Sequence, residues 1–430
     1  MGRLIALLNI FSKLFEKIMK TYLVSFMSEN NILSIFQYGF QKGISTQCAL
    51  QKFSELIYST MDASDLALSI YIDFSKAFDT VPHNILLKKL EFYGIRNNLL
   101  NWFSSYLSNR TQRTIIEDHS SEPLFTRLGV PQGSVLGPIL FLLFINDLPN
   151  ISDILNTILF ADDSTLTLIG KNFRQLCELA NQELLKFNDW CLANRLSVNA
   201  SKTFYMLFSR KRVLDSIPLV IKSGQTYDVI NRVDNTKFLG VYFNDNMTFK
   251  AHISYLSKKL ARVAALIYQV RDLLPDFVLK NVYYAHAQSL LYYCNLIWCN
   301  TNKTDLTAIT LIQKRLIRLI TRSDILAHTS PLFRRTKILN LENLRKLTLG
   351  LYCFKNKNNF DHLQARHNYP TRQRNQLRPI RHRTSQFEKS FVYQAPLLWN
   401  ELNNTIPDLI NINMIKKFKR IYKKSLVSSQ

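Results

Sequence analysis

Two apolar stretches, far apart in the chain, each run directly into aspartate. That pairing limits the possible folds more than any other feature. Over residues 66–74, Leu68, Ile70 and Ile72 alternate with Ser69, Tyr71 and Asp73, the period-two pattern of a strand delivering a carboxylate at its end. Residues 154–160 predict a second strand, which turns over Asp162-Asp163 and returns through 165–169 as a hairpin. Three carboxylates gathered at one sheet edge repel one another and are costly unless cations stand between them. Mg²⁺ is the hard, oxygen-seeking cation that suits such a site, with Mn²⁺ as a substitute. Two such ions about 3.5–4 Å apart make a device for in-line displacement at phosphorus.

An Asp-Asp pair alone is ordinary, because aspartate favours turns. The segment between the two strands adds context. Gly129-Val130-Pro131-Gln132-Gly133-Ser134-Val135-Leu136-Gly137-Pro138 precedes an apolar run over 139–148 that predicts a helix. Glycines let backbone approach a ligand or a neighbouring strand. The Gln132 amide can hydrogen-bond a base or a sugar without adding charge. Taken alone, the same residues also suit an ordinary loop before a buried helix.

The ordered set of motifs resembles a family. Phe36-Gln37-Tyr38-Gly39-Phe40-Gln41-Lys42-Gly43-Ile44-Ser45-Thr46 is similar to a fingers motif, Tyr71-Ile72-Asp73-Phe74-Ser75-Lys76-Ala77-Phe78-Asp79 to motif A, and the glycine-rich segment to motif B. Phe160-Ala161-Asp162-Asp163 is similar to motif C. Trp190–Asn199 with Lys202-Thr203 is similar to motif D, and Phe238-Leu239-Gly240-Val241 to motif E, the primer grip. The chain resembles the reverse transcriptases of non-long-terminal-repeat retrotransposons, the LINE class, and most of all the jockey-like group. The likeness continues more loosely through Leu290–Cys294, Gln313-Lys314-Arg315 and Leu398-Trp399-Asn400-Glu401-Leu402.

The resemblance implies roles. Asp73, Asp162 and Asp163 would hold two Mg²⁺ ions, with Asp162 the more direct of the adjacent pair because neighbouring strand residues face opposite ways. Phe74 would lend its main-chain carbonyl to the second ion. Phe78 would be the steric gate that excludes a ribonucleotide 2′-OH. Gln132 and Gly133 would line the nucleotide pocket. Lys202 would protonate the leaving pyrophosphate. Phe238, Leu239 and Gly240 would meet nucleic acid. Asp79, by contrast, suits a structural or capping role, and His83 the start of the next helix.

Two features depart from the family pattern. Gln41 stands where many members carry an arginine that grips the triphosphate; Lys42 beside it could offer a point charge but no bidentate fork. Met1 stands only about 35 residues before the fingers motif, so a chain truncated at its N-terminal side and lacking an upstream DNA-nicking domain is expected.

Composition agrees with a polyanionic partner. The net charge is +24, and the last hundred residues hold 20 Lys+Arg against 5 Asp+Glu. Such a field attracts nucleic acid at long range. Arg366, Arg372, Arg374, Arg378, Arg381 and Arg383 fall in a stretch poor in apolar residues, which reads as an extended segment contacting phosphates. Cys48, Cys177, Cys191, Cys294, Cys299 and Cys353 have no paired metal spacing and read as free thiols of a reducing compartment. No apolar run approaches the ~20 residues of a membrane span, and the N-terminal apolar stretch fits a helix over 4–27 better than a signal peptide. An intracellular protein is expected, in nucleus or cytoplasm alike, with no partner protein evident.

The expected fold is α/β (α+β), a right-hand polymerase with fingers and palm over 1–245. A helical thumb-like region over 246–325 and a basic nucleic-acid-binding region over 326–430 follow. In the thumb, Ile253, Leu256, Leu260, Val263 and Ile267 recur at helical spacing; residues 412–426 predict an amphipathic helix carrying Ile415, Phe418 and Tyr422 on its apolar stripe. The expected activity is RNA-directed DNA polymerisation, with an RNA template, a DNA primer and deoxynucleoside triphosphates as partners. The rival is a catalytically inactive or domesticated retroelement fragment that binds RNA or DNA without polymerising. An intron-encoded maturase would share the first motifs but not the late ones.

Overall fold

The computed structural model describes residues 6–211, 217–223, 226–360 and 376–430. The chain divides into two compact units, one of residues 1–49 and 65–234, the other of 50–64 and 235–430. The first unit ends at Asp234. Residues 246–325 and 326–430 share one unit.

The first unit is a helix-covered sheet. Its helices are α1 (Ile10–Glu29), α3 (His83–Phe92), α4 (Asn97–Leu107), α5 (Gly137–Ile145) and α6 (Phe173–Asn194), while α2 (Thr46–Asp62) belongs from residue 50 onward to the second unit. Its principal strands are β1 (Leu66–Ile72), β2 (Asn156–Phe160), β3 (Asp163–Gly170), β4 (Phe204–Phe208), β5 (Leu219–Ser223) and β6 (Thr226–Arg232). They lie in the order β2-β3-β1-β4-β6-β5, antiparallel throughout except for the parallel β4–β6 pair.

The strand expected from alternation is real but differs in character. Six of the seven residues of β1 are buried. Leu68, Ile70 and Ile72 enter the main core. On the other face Ser69 satisfies its hydroxyl against Thr167 Oγ at 2.9 Å, and Tyr71 stacks on Phe204 at 5.2 Å. Ser69 and Tyr71 therefore do not mark a solvent face. They are buried because β1 is central and packed on both faces, and the Thr167 bond satisfies the Ser69 hydroxyl.

The apolar run after the glycine-rich segment forms α5, with eight of its residues buried, among them Leu140, Phe141, Leu143 and Phe144. A helix apolar all round must be wrapped on every side. α6 packs its stripe of Leu176, Cys177, Ala180, Leu184 and Phe187 into the same core. α1 begins later than expected, at Ile10, where the Asn9 side chain accepts the Phe11 N–H and caps the first turn. No helix among the described residues is long and apolar enough to cross a membrane.

In the second unit, β7 (Asn235–Phe238) and β8 (Val241–Asn244) form a hairpin, followed by α7 (Lys250–Val270), α8 (Lys303–Ile320), α9 (Leu341–Asn356), α10 (Phe391–Thr405) and α11 (Ile415–Ser428). The amphipathic expectations hold here. α7 buries Ile253, Leu256, Leu260 and Ile267, and α11 buries Phe418, Tyr422 and Leu426. Phe354, Trp399 and Phe418 form an aromatic cluster that joins α9, α10 and α11. Much of the basic C-terminal region is thus a folded helical layer with its lysines outside.

Buried His252 in α7 accepts the Tyr242 N–H on Nδ1 at 3.4 Å, and its Nε2 is buried with no partner among the described residues. Burial, with the Lys237 ammonium second, pushes its pKa down from 6.5 to about 4. Between those values the unfolded chain binds a proton that the folded chain refuses. Stability should therefore fall as pH drops from about 6.5 towards about 4, with no contribution from this residue above that window. His252→Gln should flatten the slope of denaturation midpoint against pH; an unchanged slope would show that other groups set it.

Candidate active site

The strand register brings the aspartates together. β1 and β3 pair Ile72 with Ser164, and the β2–β3 hairpin closes with Phe160 opposite Asp163. Asp73 therefore leaves β1 beside the point where Asp163 enters β3. Asp162 occupies the two-residue turn with Ala161, whose φ is +57°. A positive φ at the first central position suits the tight turns that match sheet twist. All three carboxylates thus stand at one end of adjacent strands, Asp73 and Asp162 half-buried and Asp163 exposed.

Among the described residues, however, no group of three His, Cys, Asp or Glu is arranged to hold a metal ion. Of the three expected ligands, Asp163 is the exposed one. The donor set still fits Mg²⁺ as phosphate-transferring sites use it, held by one or two carboxylates and completed by phosphates and water. Asp73 and Asp162 are the less exposed pair for that purpose.

The main chain at Asp73 is clamped. Its carbonyl accepts the Asn199 N–H at 2.8 Å, its N–H donates to Thr203 Oγ1 at 3.3 Å, and the Ser75 N–H donates to the Ser197 carbonyl at 2.8 Å. This same segment carries Lys202, whose Nζ lies 3.8 Å from Asp73 Oδ2. The pair is long and largely exposed, so its worth is mainly positional. Phe74 puts its side chain in the core, 6.2 Å from the Phe187 ring, which leaves only its main chain for the expected role.

The glycine-rich loop is strapped along the residues after Asp73. The Val130 N–H donates to the Phe78 carbonyl at 2.8 Å and the Gly129 N–H to the Val81 carbonyl at 2.7 Å. Gln132 Nε2 donates to Asp79 Oδ1 at 3.1 Å. His83 opens α3 as expected, but its Nε2 also meets the Gly129 carbonyl at 2.8 Å. The half-buried Phe78 ring stacks on Phe141 of α5 at 4.4 Å, a support that fixes its position. Gly133 is exposed with φ +104°, and Lys42 is exposed. From the other side, buried Glu16 of α1 accepts the Val135 N–H and the Tyr106 hydroxyl at 2.5 and 2.8 Å. Beside the carboxylate, burial and the Glu16 bond push the Tyr106 phenol up. Nothing in the spacing of α1 singled out Glu16. The roles of Thr203, Asn199 and Phe141 likewise emerge only from contacts.

The nucleic-acid residues fare unevenly. Phe238 is buried, packed edge-on against Phe53 and at 6.5 Å from Phe243, so it is core rather than contact surface. Leu239 and Gly240 form the half-buried hairpin turn, both at positive φ, and the Leu239 carbonyl accepts the Tyr293 hydroxyl at 2.6 Å. Arg378 is half-buried, while Arg381 and Arg383 are exposed. The Asp62 carboxylate holds this stretch by accepting the Arg383 and Thr384 N–H groups and the Thr384 hydroxyl. Arg366, Arg372 and Arg374 lie outside the described residues.

The family model for reverse transcriptase (RNA-dependent DNA polymerase) matches residues 2–243, more than half of the chain, and the chain belongs to that family. It is 26% identical over 398 residues to the probable RNA-directed DNA polymerase from transposon BS of Drosophila melanogaster, covering 88% of this chain and 42% of that protein. It is 25% identical over 348 residues to the RNA-directed DNA polymerase from mobile element jockey of the same species, covering 78% and 37%. The chain spans about two-fifths of the length of these curated relatives. They bear out the jockey-like kinship that the motifs carry. Among solved structures it is similar to telomerase from Candida tropicalis, with a TM-score of 0.39 at 11% identity over 77% of this chain and 57% of that one.

Gly129 has φ +87°, and a Cβ there would meet Asp79 Cα at 2.8 Å. Both conformation and space exclude a side chain. Gly129→Ala is expected to cost about 1–3 kcal/mol by denaturant unfolding. A variant as stable as the parent would mean that the loop is not strapped to residues 78–81.

Proposed function

We propose that this chain is an RNA-directed DNA polymerase that adds deoxynucleotides to a primer 3′-OH on an RNA template, as part of a non-long-terminal-repeat retrotransposon. Family membership supports the reaction class. The observation that carries the site assignment is the register that sets Asp73 and Asp162 at one end of adjacent strands. On this reading residues to about 245 are fingers and palm, the helices to about 325 act as thumb, and the basic region adds phosphate contacts.

In the reaction the primer oxygen bonds the α-phosphorus, the bond to the bridging oxygen breaks, and pyrophosphate leaves. Bound divalent ions, Mg²⁺ or Mn²⁺, would supply charge neutralisation and activation of the attacking oxygen. Asp73 and Asp162 would hold them, with Asp163 at the mouth of the site. Phe78, braced by Phe141, would sit under the sugar and reject a 2′-OH. The Gln132 amide and Gly133 would meet the nucleotide, and Lys42 its phosphates. Lys202, beside Asp73, would hold a proton for the departing pyrophosphate.

Primer extension on poly(rA)/oligo(dT), with and without a divalent ion, tests the reading. Asp162→Asn should lower the rate by about a hundredfold or more while template–primer affinity stays unchanged. Full activity in that variant would remove Asp162 from the site.

Phe78→Val should raise the ratio of ribonucleotide to deoxynucleotide kcat/KM by about tenfold or more. An unchanged ratio would deny the ring its gating role.

A further inference from the structure

We propose that Gln37 is a positioning residue for the catalytic turn, clasping the main chain that carries Asp162. This rests on the polymerase reading above for the importance of Asp162. The clasp itself is independent of it.

Residues 36–38 run along the outer edge of β2. The Leu159 N–H donates to the Phe36 carbonyl at 2.9 Å and the Tyr38 N–H to the Leu159 carbonyl at 2.8 Å, with Gln37 in a parallel bridge to Leu159. From that edge the Gln37 side chain, 1% exposed, reaches the turn. Its Oε1 accepts the Ala161 N–H at 3.1 Å and the Gly39 N–H at 2.8 Å. Two converging donors fix which end of the amide is oxygen. The Ala161 N–H belongs to the positive-φ residue that opens the turn, so this bond restrains the Phe160–Ala161 peptide, one peptide before Asp162.

Two further observations fit this role. Gly39 leaves no room for a side chain, since a Cβ would stand 2.6 Å from Ala161 N and 3.1 Å from Gln37 Oε1. The clasp and the turn are therefore in direct contact. The residue is also a neutral amide. A carboxylate could accept the same two bonds, but it would add a buried negative charge near the turn that carries Asp162 and Asp163, and a like charge there opposes their ionisation.

A buried N–H left without its acceptor costs enough to shift the turn. Gln37→Met keeps length and removes the acceptor. Hydrogen–deuterium exchange across residues 159–164 should be faster in this variant, and single-turnover extension from saturating template–primer should fall about tenfold to a hundredfold. The apparent KM for nucleotide and the template–primer Kd should stay within about twofold. In an Asp162→Asn background the same change should scarcely alter the residual rate, which a merely structural role would not reproduce. Gly39→Ala tests the clasp by a second route, since its methyl would displace Ala161 while Gln37 stays intact, and the same loss is expected. Unchanged exchange at 159–164 in Gln37→Met would overturn the clasp. Faster exchange with an unchanged single-turnover rate would overturn its positioning role. A parent chain inactive in extension would instead overturn the polymerase reading, and the exchange measurement would still decide the clasp.

Discussion

The site depends on β1 being held on both edges. It pairs with β3 on one side and β4 on the other, and the Ile72–Ser164 register determines which residues stand together where the strands end. A slip of one residue would turn Leu68, Ile70 and Ile72 out of the core, so the apolar face enforces the register. Asp73 is therefore positioned by residues that never touch a substrate. The 197–203 segment adds a second constraint from behind, spending the N–H and carbonyl of Asp73 on Thr203 and Asn199.

That arrangement resolves a conflict in the sequence. A sheet centre wants apolar residues, and a phosphate-transferring site wants carboxylates. The chain separates them along the strand axis, with aspartates only where β1 ends and where the β2–β3 hairpin turns. The neighbouring glycine-rich loop shows the same economy. Its main chain is strapped to residues 78–81, the buried Glu16 carboxylate ties down Val135, and Val130 and Leu136 enter the core, so the loop has a defined course.

Strands, the buried helix α5 and the amphipathic faces of α7 and α11 were legible because burial imposes a period, and a period survives in one dimension. The exceptions are instructive. Ser69 and Tyr71 alternate with the apolar residues of β1, yet both are buried, because alternation cannot distinguish a solvent face from a second packed face. Phe238 lay within a motif associated with primer contact, yet it is buried and packs against Phe53 of α2 and Phe243 of β8. Glu16 and Asp62 carry no signal in the sequence that sets them apart from other helix acids. Their functions as acceptors for main-chain N–H groups depend on partners more than a hundred residues away.

The departure at Gln41 acquires a physical meaning here. Its Nε2 donates to the Gln37 carbonyl at 2.5 Å, so the side chain turns back on its own segment. An arginine would bring a delocalised cation with five donors to this position, and its reach would favour a phosphate over a nearby carbonyl. The glutamine instead stiffens the stretch that leads into Gly39. In this chain the 36–41 segment thus contributes to the site through hydrogen bonds to main chain, at the Leu159 and Ala161 peptides, more than through charge. Lys42, just beyond it, is exposed.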